Sequence, residues 1–196
     1  MAGKSATLFQ PSICNSSMRI ISGKYGGRRI NPPANMPHTR PTTDIAKEGL
    51  FNVLQNNLDI DSLVTLDLFG GTGCISYELI SRGVTDATIV EKDEKMHAFI
   101  TKTMGELKIT EMKLVKSDVF RFIENCTSQF DFIFAGPPYA LATIDELPLK
   151  IFKHQLLKPG GWFVMEHTPR NDYKKFEHYK AERNYGTTLF SIFINS

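Results

Sequence analysis

From residue 63 onward the apolar residues fall into two alternating rhythms. Short β-rich runs occur at 63–68, 87–91, 113–116, 130–135 and 162–166. Between them, at 75–81, 95–107, 119–125 and 144–156, apolar residues recur at helical spacing. Strands alternating with helices in this way predict βαβ units, and hence a parallel sheet covered by helices on both faces. The end of the chain breaks the rhythm. Segments 174–182 and 187–194, around a Tyr185-Gly186 turn, predict an antiparallel hairpin added to the sheet.

Ahead of this region the pattern is different. Residues 19–30 alternate apolar and basic positions around glycines, which predicts a short twisted hairpin with a charged face. Residues 31–41 contain four prolines and predict an extended connection. Thr43 or Asp44 can then cap a helix whose apolar face is Ile45, Leu50, Phe51 and Leu54. Residues 1–17 are small and polar, without the apolar core of a secretory signal, and read as a disordered or expression-derived leader, with Met18 as a possible start. The expected organisation is therefore a leader (1–17), a basic hairpin and helix extension (18–57) and one α/β domain (58–196).

Composition narrows the class. A chain of 196 residues, 41% hydrophobic, can bury one substantial core. No apolar run reaches the roughly 18 residues of a membrane span, so a soluble, non-membrane protein is expected. Cys14, Cys74 and Cys126 are odd in number and widely spaced, and the five histidines are scattered. This argues against a disulfide framework and against a metal site, and it fits a reducing cytoplasm. Net charge is only +2, yet residues 18–47 carry six basic residues against the single acid Asp44. Such a local excess is either a solvated edge or the footprint of a polyanion.

Candidate chemistry centres on Asp67-Leu68-Phe69-Gly70-Gly71-Thr72-Gly73, where the first strand of the domain runs through a tight turn into a helix. A glycine turn at a helix N-terminus suits a phosphate or a ligand carboxylate. Asp67 disfavours a pyrophosphate and can accept from a ligand ammonium group. No Lys-Ser/Thr pair follows, and from Gly71 the series Gly-x-Gly-x-x-Ser lacks the third glycine of a dinucleotide site. S-adenosylmethionine (SAM) offers both an ammonium and a carboxylate at the end that this turn would hold.

Further candidates lie at later strand ends, where ligands of open α/β sheets gather. Glu91, in Val90-Glu91-Lys92-Asp93, can take the two hydroxyls of a ribose. Asp118 can accept from an adenine amino group, with Val119 beside the ring. Each acid alone is equally a helix cap or a surface residue. The fourth strand leads into Gly136-Pro137-Pro138-Tyr139. Its prolines leave carbonyl oxygens to face a ligand, and Tyr139 offers a ring for stacking.

Taken together, residues 18–196 resemble the RsmD family of bacterial small-subunit ribosomal RNA guanine-N2 methyltransferases. The resemblance rests on Met18-Arg19-Ile20-Ile21-Ser22-Gly23, Arg40-Pro41-Thr42-Thr43-Asp44, Leu50-Phe51-Asn52, the 67–73 turn and Phe132-Ile133-Phe134-Ala135-Gly136-Pro137-Pro138-Tyr139. It implies a Rossmann-like class I fold with seven strands, SAM as donor and a guanine of 16S rRNA as substrate. It also implies that Arg40 and Thr42 lie near the cofactor, and that Arg19, Lys24, Arg28 and Arg29 grip RNA. A monomer acting on an assembling small-subunit particle is the expected context, with no metal and no covalent intermediate.

One position departs from the family, whose loop begins with Asp where this chain has Gly136. The loop keeps its carbonyls and loses a carboxylate acceptor for the target amine. Gly136 opens one other reading, an RNA-binding homologue with impaired catalysis; a separate alternative is an amino methyltransferase acting on DNA adenine or protein glutamine, although such enzymes usually begin this loop with Asn or Asp.

Overall fold

The computed structural model describes residues 17–33 and 42–196. Cys14, Arg40 and Pro41 therefore lie outside the described residues, as do nearly all of the leader and most of the proline-rich connection.

The expected hairpin is reduced to two paired dipeptides, β1 (Met18–Arg19) and β2 (Arg29–Ile30), followed by α1 (Asp44–Gln55). The domain then runs β3 (Val64–Leu68), α2 (Cys74–Ser81), β4 (Asp86–Glu91), α3 (Glu94–Leu107), β5 (Met112–Lys116), α4 (Val119–Asn125), β6 (Phe130–Ala135), α5 (Glu146–Lys153), β7 (Leu157–His167), β8 (Tyr179–Tyr185) and β9 (Thr188–Ile194). The last seven strands form one sheet in the order β5-β4-β3-β6-β7-β9-β8. Strands β5 to β7 are parallel, and β9 and β8 close the sheet antiparallel.

Alternation along the strands builds two cores. Phe132, Phe134 and Val164 point to the face covered by Leu50, Phe51 and Leu54 of α1 and by Ile75, Leu79 and Ile80 of α2. Ile133, Ala135, Phe163 and Met165 point to the other, beside Ile123 of α4 and Leu147 and Ile151 of α5. Among its described residues the N-terminal extension has no core of its own. Its buried Met18, Ile20 and Ile30 belong to the α1–α2 core.

Four boundaries and one face differ from expectation. Helix α5 is shorter than 144–156, because Leu156 and Leu157 already lead into the sheet. Strand β7 begins at Leu157 rather than residue 162, and a bulge accommodates Pro159-Gly160-Gly161 between the pairs Phe130–Leu157 and Phe132–Trp162. Residues 174–178 are turns, not strand: Phe176 donates to the Tyr173 carbonyl at 2.9 Å, and buried Tyr173 is anchored by its hydroxyl on Asp145 at 2.7 Å. The turn after β8 starts one residue later, since Tyr185 still pairs with Thr188. On α1, Ile45 is 75% exposed, and the inward positions next to it are Ala46 and Lys47.

Candidate functional site

Sheet order reverses between β3 and β6, so their carboxyl ends flank a crevice. Leu68 and Ala135 are register partners, and the Gly136 amide donates to the Leu68 carbonyl at 3.3 Å. The chain leaves β3 through a turn with three left-handed residues, Phe69 (φ 64°), Gly71 (φ 52°) and Gly73 (φ 78°). A left-handed Phe is uncommon, and such strain gathers at functional turns. Gly73 is required twice over. Besides its φ, a β-carbon there would sit 2.7 Å from the Tyr77 ring.

The turn is held from within. The Gly70 amide donates to the Val90 carbonyl at 2.8 Å, Gly71 to Glu91 Oε2 at 2.7 Å, and Gly73 to the Gly70 carbonyl at 2.7 Å. These three N–H groups serve the shape of the turn. Thr72, also buried, donates its hydroxyl to Met18 Sδ, which brings β1 against the turn.

Of the three strand-end acids, two line the crevice. Asp67 is buried and accepts the Ser76 hydroxyl at 2.7 Å. Burial pushes its pKa up to about 7 against the lowering effect of the Ser76 hydrogen bonds, and the Glu91 charge adds to the rise. Glu91 accepts the amides of Gly71 and Asp93, both at 2.7 Å, so it links the glycine turn to the start of α3. Asp118 stands outside the lining. It caps α4 through the amides of Phe120 and Arg121 and pairs with the exposed Lys92 at 3.5 Å, while Val119 and Lys92 do reach the crevice.

The crevice encloses about 440 Å³ and is bounded on its far side by Gly136-Pro137-Pro138-Tyr139. Gly136 does not occupy the left-handed region, and a β-carbon there would meet only Phe134, at 3.2 Å. The backbone conformation admits a side chain here, provided that the Phe134 ring shifts slightly to relieve that contact. Tyr139 is 39% exposed, and its hydroxyl donates to Glu166 Oε1 at 2.9 Å. Thr42 donates to the other oxygen of Glu166 at 2.6 Å. Glu166, buried near the end of β7, was not singled out among the sequence candidates. The same signal that marks Asp67 and Glu91, an acid at the carboxyl end of a parallel strand, marks it too.

The basic extension is only partly a free charged surface. Arg28 and Arg29 are exposed, whereas Arg19 pairs with Asp44 at 3.5 Å and Lys24 with Glu111 at 2.5 Å. Lys47, counted in the basic excess, is 1% exposed and donates to the Arg19 carbonyl, so it fastens β1 to α1 and is withdrawn from any surface role. Arg40 lies outside the described residues. Among those residues no group of His, Cys, Asp and Glu could hold a metal ion, and no helix is long and apolar enough to cross a membrane.

Known proteins resemble this chain in sequence and in fold. The family described as conserved hypothetical protein 95 matches residues 18–194. The ribosomal RNA small subunit methyltransferase D of Buchnera aphidicola subsp. Baizongia pistaciae is 28% identical over 92% of this chain and 93% of its own. Its namesake in Escherichia coli K12 is 30% identical over 78% of this chain and 72% of its own. A solved Escherichia coli structure described as "putative methyltransferase yhhF" superposes with a TM-score of 0.80 at 24% identity, covering 92% of this chain and 98% of that one. The Thermus thermophilus 16S rRNA N2 G1207 methyltransferase, solved with AdoMet and guanosine, gives 0.70 at 20% identity over 92% of this chain and 50% of that one. At these identities the structural likeness is one of fold, the class I SAM-dependent methyltransferase fold. By sequence, across all but its first 17 and last two residues, the chain belongs to the conserved hypothetical protein 95 family, the RsmD family.

Proposed function

We propose that the protein methylates the exocyclic N2 amine of a guanine in small-subunit ribosomal RNA, with SAM as donor. One observation carries the reading. The switch-point crevice has a buried carboxylate and glycine turn on one side and a Pro-Pro-Tyr loop on the other. The sequence relatives named for ribosomal RNA methylation supply the substrate class.

The residues present fit SAM. A crevice of about 440 Å³ lies within the usual range for small-molecule sites. Asp67 would take the ligand ammonium and Glu91 the ribose hydroxyls. Val90, Met96 and Val119 give an apolar slot for adenine. Bound there, SAM supplies a methyl group on an electrophilic sulfonium. Phe69, Gly70, Gly71, Thr72, Lys92 and Thr42, together with Gly73 of the same turn, complete the proposed cofactor site, while Asp118 acts on it only through its pairing with Lys92, and Arg40 lies outside the described residues.

The chain's own task is to hold the acceptor. The guanine N2 lone pair is delocalised into the ring and nucleophilic only when the nitrogen is held towards tetrahedral geometry. Carbonyl oxygens of Gly136 and Pro137 can accept the amine N–H groups, Pro138 stiffens the loop, and Tyr139 offers a stacking face. Arg19, Lys24, Arg28 and Arg29 form the proposed RNA contact. A cytoplasmic monomer acting on 16S rRNA within a small-subunit particle is the context proposed.

The test is transfer of labelled methyl from SAM to unmethylated small-subunit particles, with the product nucleoside identified. N2-methylguanosine supports the reading, and another methylated nucleoside overturns it. Gly136 motivates one competing reading, an RNA-binding homologue with impaired catalysis, which predicts retention of RNA without methyl transfer.

A further inference from the structure

Glu166 occupies a particular place in the sheet. Strand β7 is paired on both sides, to β6 and to β9, with Glu166 opposite Phe190. Met165 is the register partner of Ala135, so Glu166 comes level with Gly136, the first residue of the acceptor loop. Its neighbour His167 is fixed by the Ser191 hydroxyl at 2.8 Å and the Thr168 carbonyl at 2.9 Å. The carboxylate therefore projects from rigid backbone. It is 5% exposed, and its two oxygens receive the hydroxyls of Tyr139, at 2.9 Å, and Thr42, at 2.6 Å. Those residues belong to segments almost a hundred positions apart in sequence.

We propose that Glu166 is a positioning residue, whose carboxylate ties Tyr139 to Thr42 across the crevice and so fixes the plane of the Tyr139 ring against which the target base stacks. The inference rests on the methyl-transfer reading above and deepens it. A buried carboxylate is tolerated only when hydrogen-bonded, which makes the tie energetically coupled at both ends. Tyr139 is the exposed partner and sits on a loop, and its hydroxyl bond ties it to Glu166 on a strand paired on both sides. The prolines before Tyr139 restrict the backbone of the loop, and the bond to Glu166 acts on the side chain itself.

The test is a double-mutant cycle on the full chain with Tyr139→Phe and Glu166→Leu, which leaves no acceptor at that position, following methyl transfer to small-subunit particles and, separately, SAM binding. Each single substitution is expected to lower turnover about 10-fold, with SAM affinity changed far less. The double variant should be no slower than the slower single, since the hydrogen bond between the two is already gone in either. Losses that multiply, or a Glu166→Leu enzyme with unaltered turnover, overturn the proposal. Tyr139→Phe deletes a hydroxyl from an exposed residue, so the fold survives it whatever Glu166→Leu does.

A readout independent of catalysis separates this inference from the reading beneath it. The Leu141 amide donates to the Pro138 carbonyl at 2.9 Å and Ile144 to Leu141 at 3.2 Å. If the tie orders the loop, both Tyr139→Phe and Glu166→Leu accelerate hydrogen exchange at these amides, by about 10-fold, and the double variant adds nothing. Accelerated exchange in a protein that transfers no methyl to RNA would leave the tie standing and the functional reading refuted. Active protein with unchanged exchange and multiplicative kinetics would do the reverse.

Discussion

The Ile21 amide donates to Glu78 Oε2 at 2.7 Å, fastening the basic hairpin to the helix that begins at the glycine turn. Ser22 donates to the other oxygen at 3.0 Å, and Arg82 pairs with that oxygen at 2.8 Å. At Gly23 (φ 80°) the backbone passes so close to Ser81 that a β-carbon would lie 1.7 Å from its carbonyl oxygen. Met18 meets Thr72 at the other end of α2. The hairpin thus runs along one helix from the glycine turn to its last residue.

This makes Glu78 a structural linchpin with a functional consequence. Glu78→Ala leaves two amides and a buried guanidinium without their acceptor, and breaking such a buried pair costs about 3–5 kcal/mol. For a chain of this size that corresponds to a fall in Tm of roughly 10 °C. Thermal unfolding of the variant beside wild type checks it, and Glu78→Gln, which keeps one acceptor oxygen, should recover part of the loss.

The hairpin's charges are not equivalent. Lys24 is held by Glu111, and that bond lowers the Glu111 pKa to about 2, whereas Arg28 and Arg29 are exposed on the same hairpin. RNA binding should therefore depend more on the two arginines. Replacing both by alanine is expected to reduce the slope of log affinity against log salt by about 1–2, the release of one or two phosphate contacts. Lys24→Ala should change it by less. Filter binding across a salt series, with SAM affinity as the control, distinguishes them.

How much of this was legible in the sequence depends on whether the signal was local. The glycine turn, the strand-end acids Asp67 and Glu91, and the Pro-Pro-Tyr loop announce themselves because φ, capping and strand endings are written in a few adjacent residues. Lys47 and Ile45 defeat the same logic. A lysine among arginines reads as surface charge, yet its burial is decided by the Arg19 carbonyl, 28 positions away. Ile45 completes an apolar stripe, but the groove available to α1 is filled by Ala46, Leu50, Phe51 and Leu54, which leaves it outside. Glu166 had a local signal, an acid at a strand end. Its meaning lay in Thr42 and Tyr139, which only the folded sheet brings to it.

Asp67 yields a prediction in which stability and binding oppose one another. Its folded-state pKa is raised from 3.8 to about 7, so the folded state binds the proton more tightly than the unfolded chain. The associated stabilisation is complete below about pH 4, declines as pH rises, and is lost above about pH 7. Asp67→Asn removes that dependence and can still accept the Ser76 hydroxyl. Ligand-free Asp67→Asn should match wild type near pH 4 and exceed it at pH 8, with an upper bound of about 4 kcal/mol. SAM affinity should fall at least about 10-fold, because the ammonium loses its charged partner. Urea denaturation at the two pH values and SAM titration read the two effects separately.

The last prediction concerns Gly136. Its backbone lies outside the left-handed region, and an added β-carbon meets only the Phe134 ring edge at 3.2 Å, so a side chain there needs no change of backbone, only a slight shift of that ring. What glycine removes is a side-chain acceptor beside the Gly136 and Pro137 carbonyls. One charge-assisted hydrogen bond to the amine is worth about 1.5–3 kcal/mol. Felt in the transition state alone, that is about 10–100-fold in rate. Gly136→Asp should therefore raise turnover on small-subunit particles by about that factor while SAM affinity stays nearly constant. An unchanged rate would mean that backbone carbonyls alone position the amine, and a lower one that the new carboxylate crowds Phe134 and shifts the loop.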